Sequence, residues 1–96
     1  MITMCEDNSI SLVIKYDNLR NMNKDELLIA IGKNIKKIRE SKNISQAELA
    51  AKCNYEKSNM SRIESGKTNM TIGTLLTISN ALDVSLITLI SFNNTI

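Results

Sequence analysis

The sequence predicts a small all-α protein of five helices, preceded by a short strand-like extension. Apolar residues recur at helical spacing through most of residues 23–96. Four of the five stretches begin after a residue suited to cap a helix, and the chain contains no proline to interrupt one. A length of 96 residues with 43% hydrophobic residues fits one domain with one modest core.

The first predicted helix begins after Asn23, where Glu26 completes a capping box. It ends near Lys42 and Asn43. Its apolar stripe contains Leu27, Leu28, Ile31, Ile35 and Ile38. This spacing predicts one long amphipathic helix that packs on the rest of the domain.

A second helix begins after Ser45, which forms a capping box with Glu48. Asn54 tolerates the left-handed backbone of a tight turn, so the helix ends there. A third helix is predicted from about Lys57 to Glu64, and Gly66 stops it. The inward residues of these two helices are Leu49, Ala50, Cys53, Met60 and Ile63.

Thr71 and Ser85 are predicted to cap a fourth and a fifth helix. The inward residues predicted for the fourth are Ile72, Leu75, Ile78 and Leu82, and those for the fifth are Leu86, Leu89 and Ile90. The apolar residues of the 84–92 segment are Val84, Leu86, Ile87, Leu89, Ile90 and Phe92, more than one inward face uses. They either complete an ordinary core helix or bury their excess between two copies of the chain.

Residues 1–22 form a separate N-terminal extension before the domain of residues 23–96. Within it, residues 10–16 are rich in β-branched side chains and predict a short strand. A lone strand is not stable in water, so it must pack on the helices, pair with a second copy or stay loose. Packing or pairing is favoured.

Composition argues against an enzyme and against a metal site. The chain has no histidine, and Cys5 and Cys53 are far apart, so we expect no metal, no cofactor and reduced thiols. No apolar run approaches the length of a membrane span, and the first residues do not resemble a signal peptide, so we expect a cytoplasmic protein without a membrane partner. Residues 26–96 hold nine basic and six acidic residues, whereas residues 1–25 hold three and four. The basic excess therefore belongs to the helical segment.

The motif between Ser45 and Gly66 combines two short helices, a turn residue and small or apolar inner positions, and it predicts a helix-turn-helix. Together with its flanks it resembles the Cro/CI-type family, also called Xre-like or lambda-repressor-like. The resemblance rests on residues 31–39, 45–50, 60–67 and 81–85. It implies a five-helix domain whose third helix enters the major groove of double-stranded DNA, usually as a homodimer on a palindromic site. Asn54 stands where the family usually has glycine, and Glu56 where it has a small hydroxyl residue.

The resemblance also implies roles for polar residues. Base contacts are expected from the outer face of the third helix, at Lys57, Ser58, Ser61 and Arg62. Phosphate contacts are expected from Gln46, Asn59, Ser65, Lys67 and Asn69. The alternative is that these residues form an ordinary solvated surface, as Lys33, Lys36 and Lys37 on the first helix are expected to do.

Arg39 and Glu64 each flank an apolar stripe. In the family these positions form an internal ion pair that joins the first helix to the third, and we expect the same structural role here. The favoured function is a sequence-specific transcriptional regulator, a repressor or small controller. The alternative is an antitoxin-like module that binds a protein partner through residues 1–22 and also binds its own promoter.

Overall fold

A computed structural model describes residues 22–91, which contain five helices and no strand. The helices are α1 (Lys24–Ser41), α2 (Gln46–Cys53), α3 (Lys57–Glu64), α4 (Ile72–Leu82) and α5 (Leu86–Ile90). The prediction of an all-α, five-helix fold is confirmed. The strand predicted at residues 10–16 lies outside the described residues, as does Phe92. Across residues 22–91, every helix is too short or too polar to cross a membrane.

Side-chain caps define where most of these helices begin. The caps of α1, α2, α4 and α5 are Asn23, Ser45, Thr71 and Ser85. Each accepts a hydrogen bond from the backbone N–H three residues later, which satisfies a donor that the helix itself leaves free. Glu26 and Glu48 return a bond to the cap and complete both predicted capping boxes.

Four helices are followed, within two residues of their last turn, by a residue with a left-handed backbone. These residues are Asn43, Asn54, Gly66 and Asp83, with φ between 59° and 74°. Each is followed by a residue whose N–H bonds to the carbonyl five residues earlier, as in a Schellman motif. That residue is Ile44, Tyr55 or Val84 after α1, α2 and α4, and all three pack against the core. After α3 it is Lys67, which is exposed.

All five helices contribute to one hydrophobic core. Its members without exposed surface are Ile35, Leu49, Met60, Ile78 and Leu89, one from each helix. The helix α1 packs on α3 and α5, and α2 packs on α3 and α4. The prediction that Ile72 faces inward is wrong, because this residue is 70% exposed. It is the first residue of α4, and the buried stripe of that helix begins one turn later at Leu75.

Two contacts of α1 with backbone carbonyl groups fix its distance from α3 and from α5. At Gly32 an added Cβ would lie 2.5 Å from the Glu64 carbonyl oxygen and 2.6 Å from that of Ile63, so only glycine permits this approach of α1 to the end of α3. Asn34 donates from Nδ2 to the carbonyl oxygens of Thr88 and Leu89, at 2.9 and 2.6 Å. These bonds tie the last turn of α5 to α1.

Candidate nucleic-acid interface

The helices α2 and α3 form a hairpin around a tight turn. Asn54 has φ 60° and ψ 39°, which reverses the chain after α2 without the strain that most side chains would meet. Ala50 is buried, and so is Cys53 one turn later. Burial raises the pKa of the Cys53 thiol, so this group stays protonated and apolar at neutral pH. The inner side of the hairpin is therefore a packing surface.

The helix α3 has two chemically distinct sides. Met60, Ile63 and Glu64 are buried. The opposite side carries the exposed side chains of Lys57, Ser58, Asn59, Ser61 and Arg62. All four residues predicted to contact bases therefore lie on the solvent side of one short helix. Their donors can meet the acceptors that guanine and adenine present in a major groove.

The N-terminus of α3 has no side-chain cap. Glu56 occupies the cap position, and its side chain makes no capping hydrogen bond. The first helical bond here runs from the N–H of Met60 to the carbonyl of Glu56. The N–H groups of the three residues before Met60 thus precede the helical hydrogen bonds, and they remain available to an acceptor outside the helix. The exposed Glu56 carboxylate adds a negative charge at the same end.

Arg39 and Glu64 form a buried ion pair between α1 and α3. Arg39 Nε lies 2.7 Å from Glu64 Oε2, and Arg39 Nη2 lies 3.1 Å from Glu64 Oε1. The two side chains are only 8% and 3% exposed. The Glu64 hydrogen bonds raise the pKa of Arg39, against the lowering effect of burial. Arg39 Nη1 also donates to the Ile44 carbonyl at 2.8 Å, which holds the turn between α1 and α2.

Gln46 joins this pair, a contact that the sequence analysis did not anticipate. Its Nε2 donates to Glu64 Oε1 at 3.0 Å, and its side chain is half-buried. It is also the first residue of α2, where the N–H groups of Gln46 and Ala47 precede the capping bond to Glu48. The start of α2, with its positive dipole end, thus offers backbone donors and one oriented amide together.

The remaining residues predicted to contact phosphate lie at or beyond the end of α3. Lys67 and Asn69 are exposed, and Lys67 directly follows the left-handed Gly66. The Ser65 hydroxyl donates to the carbonyl oxygens of Ser61 and Arg62, at 2.9 and 3.2 Å. It would have to rotate before it could donate to a phosphate.

The exposed lysines of α1 form no comparable arrangement. Lys33, Lys36 and Lys37 are exposed along α1, where they add positive charge without a buried partner to orient them. Among residues 22–91, no three His, Cys, Asp or Glu side chains come together in a group that could hold a metal ion. The arrangement of this site suits hydrogen bonding and charge attraction to a polyanion.

A helix-turn-helix family model matches residues 35–89, more than half of the chain. The chain belongs to the helix-turn-helix family. The match runs from the middle of α1 into α5, and it therefore includes the whole α2–α3 hairpin. The resemblance to Cro/CI-type proteins is confirmed on this ground. No protein with a curated description matches the sequence.

Solved structures of other helix-turn-helix proteins have a similar fold. The restriction-modification controller protein C.AhdI from Aeromonas hydrophila is 27% identical with a TM-score of 0.63, and the match covers 65% of this chain and 94% of that one. The restriction-modification controller protein C.Esp1396I is 38% identical with a TM-score of 0.62, and coverage is 66% and 82%. An HTH_3 family transcriptional regulator from Vibrio cholerae is 25% identical with a TM-score of 0.66, and coverage is 70% and 38%.

Proposed function

We propose that this protein is a transcriptional regulator that binds a specific DNA sequence through α3. The observation that carries the proposal is the exposed polar side of α3, held in place by a buried side that packs on the rest of the domain. Membership of the helix-turn-helix family supports DNA binding. Similarity to two restriction-modification controllers and a transcriptional regulator supports a regulatory role, and it favours a small controller or repressor.

The proposed base contacts divide by chemistry. Lys57 and Arg62 carry positive donors suited to the O6 and N7 acceptors of guanine, and arginine can engage both at once. Ser58 and Ser61 carry hydroxyl groups that both donate and accept, so they suit several bases or a phosphate. All four are exposed in the free protein, so binding requires no opening of the core.

The proposed phosphate contacts flank this helix. Gln46 lies at the start of α2 and Lys67 just after α3. At three other helix ends the residue in the position of Lys67 is apolar and packs on the core, so the exposed lysine makes no comparable packing contribution. The supporting phosphate contacts that we propose are Asn59, Ser65 and Asn69, of which Ser65 must first release its bonds to the Ser61 and Arg62 carbonyls. These contacts would set orientation and affinity without reading sequence.

We further propose that two copies bind together as a homodimer through α5. Ile87 on this helix is 70% exposed, whereas Leu89 on the same helix is buried. A symmetric contact between two α5 helices would remove Ile87 from water and would place two α3 helices on a palindromic operator.

The dimer proposal is tested by sedimentation of two matched variants. Ile87→Ser should shift the protein from dimer to monomer. Ile72→Ser removes an isoleucine of equal exposure from α4 and should leave the dimer intact. A wild-type protein that remains monomeric at the concentrations that bind DNA would contradict the proposal.

We also propose that the protein acts in the cytoplasm and has no catalytic role, since the family is one of DNA-binding regulators and the chain lacks histidine. The antitoxin-like alternative depends on residues 1–22, which lie almost entirely outside the described residues. Nothing observed in residues 22–91 favours the binding of a protein partner by residues 1–22.

Selection of bound DNA from a random pool tests the proposed function. A two-fold symmetric consensus, with half-sites about one helical turn apart, is the expected result. Titration of the selected DNA at several salt concentrations should show affinity falling steeply with salt, because phosphate contacts release counterions. A pool that yields no enriched sequence would contradict the proposal that the protein binds a specific DNA sequence.

A further inference from the structure

Three donors from two helices converge on the Glu64 carboxylate of α3. Arg39 on α1 donates to both oxygens, at 2.7 and 3.1 Å. Gln46 at the start of α2 donates to Oε1, at 3.0 Å, alongside the second of these bonds. The buried ion pair therefore extends to the half-buried glutamine on which the proposed phosphate contact depends.

This arrangement determines which way the Gln46 amide faces. A carboxylate only accepts hydrogen bonds, so the amide must turn its Nε2 group, and not its oxygen, toward Glu64. One of the two N–H bonds on Nε2 is then used. Because the amide group is planar, the direction of the second N–H is set once the first is bound. In the free protein, an unrestrained glutamine would have to select between its two amide orientations when a phosphate binds, because only the nitrogen can donate to it.

We infer that Glu64 is a positioning residue for DNA binding, which directs the free N–H of Gln46 toward a backbone phosphate at the start of α2. The inference rests on the proposed DNA-binding function. Arg39 contributes by holding Glu64 in place. The advantage lies in preorganisation, because an ordered side chain loses less conformational freedom when DNA binds. Glu64 remains out of contact with DNA, and its own charge is matched by Arg39.

If Glu64 acted on DNA only through its charge, removing it would change DNA affinity in the opposite direction. Glu64 is an anion, and removing an anion near DNA should strengthen binding. Positioning instead predicts that loss of the Glu64 carboxylate weakens binding. The double variant Arg39→Met/Glu64→Met separates the two, because it leaves net charge unchanged. Replacing a buried ion pair by apolar side chains of similar size commonly preserves the fold.

The test measures DNA affinity in a cycle that combines this double variant with Gln46→Ala. In the wild-type background Gln46→Ala should weaken binding about three- to tenfold. In the double variant the same change should have little further effect, and the double variant itself should bind about three- to tenfold more weakly than wild type. Asn80→Ala, an exposed change on α4, serves as a control and should leave affinity unchanged.

The outcomes distinguish this inference from the proposed function. Equal effects of Gln46→Ala in both backgrounds would overturn the positioning role while DNA binding stands. A wild-type protein without affinity for any selected DNA would overturn the proposed function and the inference with it. Circular dichroism below the melting temperature establishes that each variant is folded.

A second measurement uses the wild-type protein alone, so it holds even where the double variant fails to fold. Gln46 is the only glutamine in the chain, and labelling with ¹⁵N-glutamine therefore gives one side-chain amide signal. The positioning role predicts a restricted amide in free protein, with one of its two protons protected from exchange. An amide that reorients freely, with both protons exchanging rapidly, would overturn it.

Discussion

The helices of the hairpin, α2 and α3, have the same length of eight residues but are stabilised in different ways. The first turn of α2 is held locally, by the reciprocal bonds between Ser45 and Glu48. The first turn of α3 has no side-chain cap, so that helix depends on contacts made further along, by Met60, Ile63 and Glu64. The start of α2 is therefore specified by its own sequence, whereas α3 is specified by what packs behind it.

The largest effect is expected where α3 depends on α1. Arg39→Ala leaves the buried Glu64 carboxylate without its charged partner, so unfolding free energy should fall by about 3–5 kcal/mol. Urea denaturation measures this loss. An unchanged melting temperature together with lost DNA binding would instead place Arg39 in the DNA interface.

A smaller effect is expected where α1 approaches the end of α3. In Gly32→Ala the new methyl group would meet two backbone carbonyl oxygens of α3, and overpacking of this kind costs about 1–3 kcal/mol. Gly73→Ala on α4 is the matched control. Its Cβ would meet only the Thr71 hydroxyl, at 3.6 Å, so the helical preference for alanine should stabilise that variant by about 0.5–1 kcal/mol. Thermal melts that shift in the same direction for both would contradict the close approach.

Removing the side-chain cap of α2 tests how much the local bonds at its first turn contribute to stability. Ser45→Ala leaves the N–H of Glu48 without its acceptor and should lower the unfolding free energy by about 1 kcal/mol. The change should be seen in urea denaturation as a lower midpoint with an unchanged slope.

The same cap makes stability depend on pH. The bond from the Ser45 N–H lowers the pKa of Glu48 below its ordinary value. The stabilisation from Glu48 is therefore present above the pKa of the unfolded chain, and it is lost as pH falls through the folded-state pKa. Glu48→Gln should flatten the acid side of the stability curve. An identical acid limb in wild type and Glu48→Gln would show that the cap carries no charge-dependent stability.

The smallest effect is a gain at α3. Glu56→Ser supplies the hydroxyl cap that this helix lacks and should raise the unfolding free energy by about 0.5–1 kcal/mol. Glu56→Ala removes the same charge without supplying a cap, so it should show no such gain. If both variants are stabilised equally, the gain in unfolding free energy comes from loss of the Glu56 charge and not from a new cap.

Much of the fold follows from local sequence. Asn23, Ser45, Thr71 and Ser85 mark helix starts because their side chains satisfy N–H groups close in the chain. Asn54 and Gly66 mark helix ends because they tolerate the left-handed backbone. Periodicity was wrong at Ile72, since spacing alone indicates a side of a helix and not how far along that helix the core extends.

The contacts that shape the site were less predictable. Gln46 lies 18 residues from Glu64, and Asn34 lies 54 and 55 residues from the carbonyl groups that it binds on α5. Such bonds form only after the helices have packed, and no spacing in the sequence indicates them. The exposed side of α3 was easier to predict, because Met60 and Ile63 already define its opposite side.

We propose that α3 selects the DNA sequence that is bound, while the residues around this helix bind phosphates. Selection of DNA by Arg62→Ala and Lys67→Ala, compared with wild type, tests it most directly. We expect Arg62→Ala to relax one symmetric position of the consensus and to bind DNA with a loss of about 1–3 kcal/mol. Lys67→Ala should keep the wild-type consensus, bind all sequences more weakly and reduce the salt dependence by about one counterion. An unchanged consensus for Arg62→Ala together with an altered one for Lys67→Ala would contradict the claim.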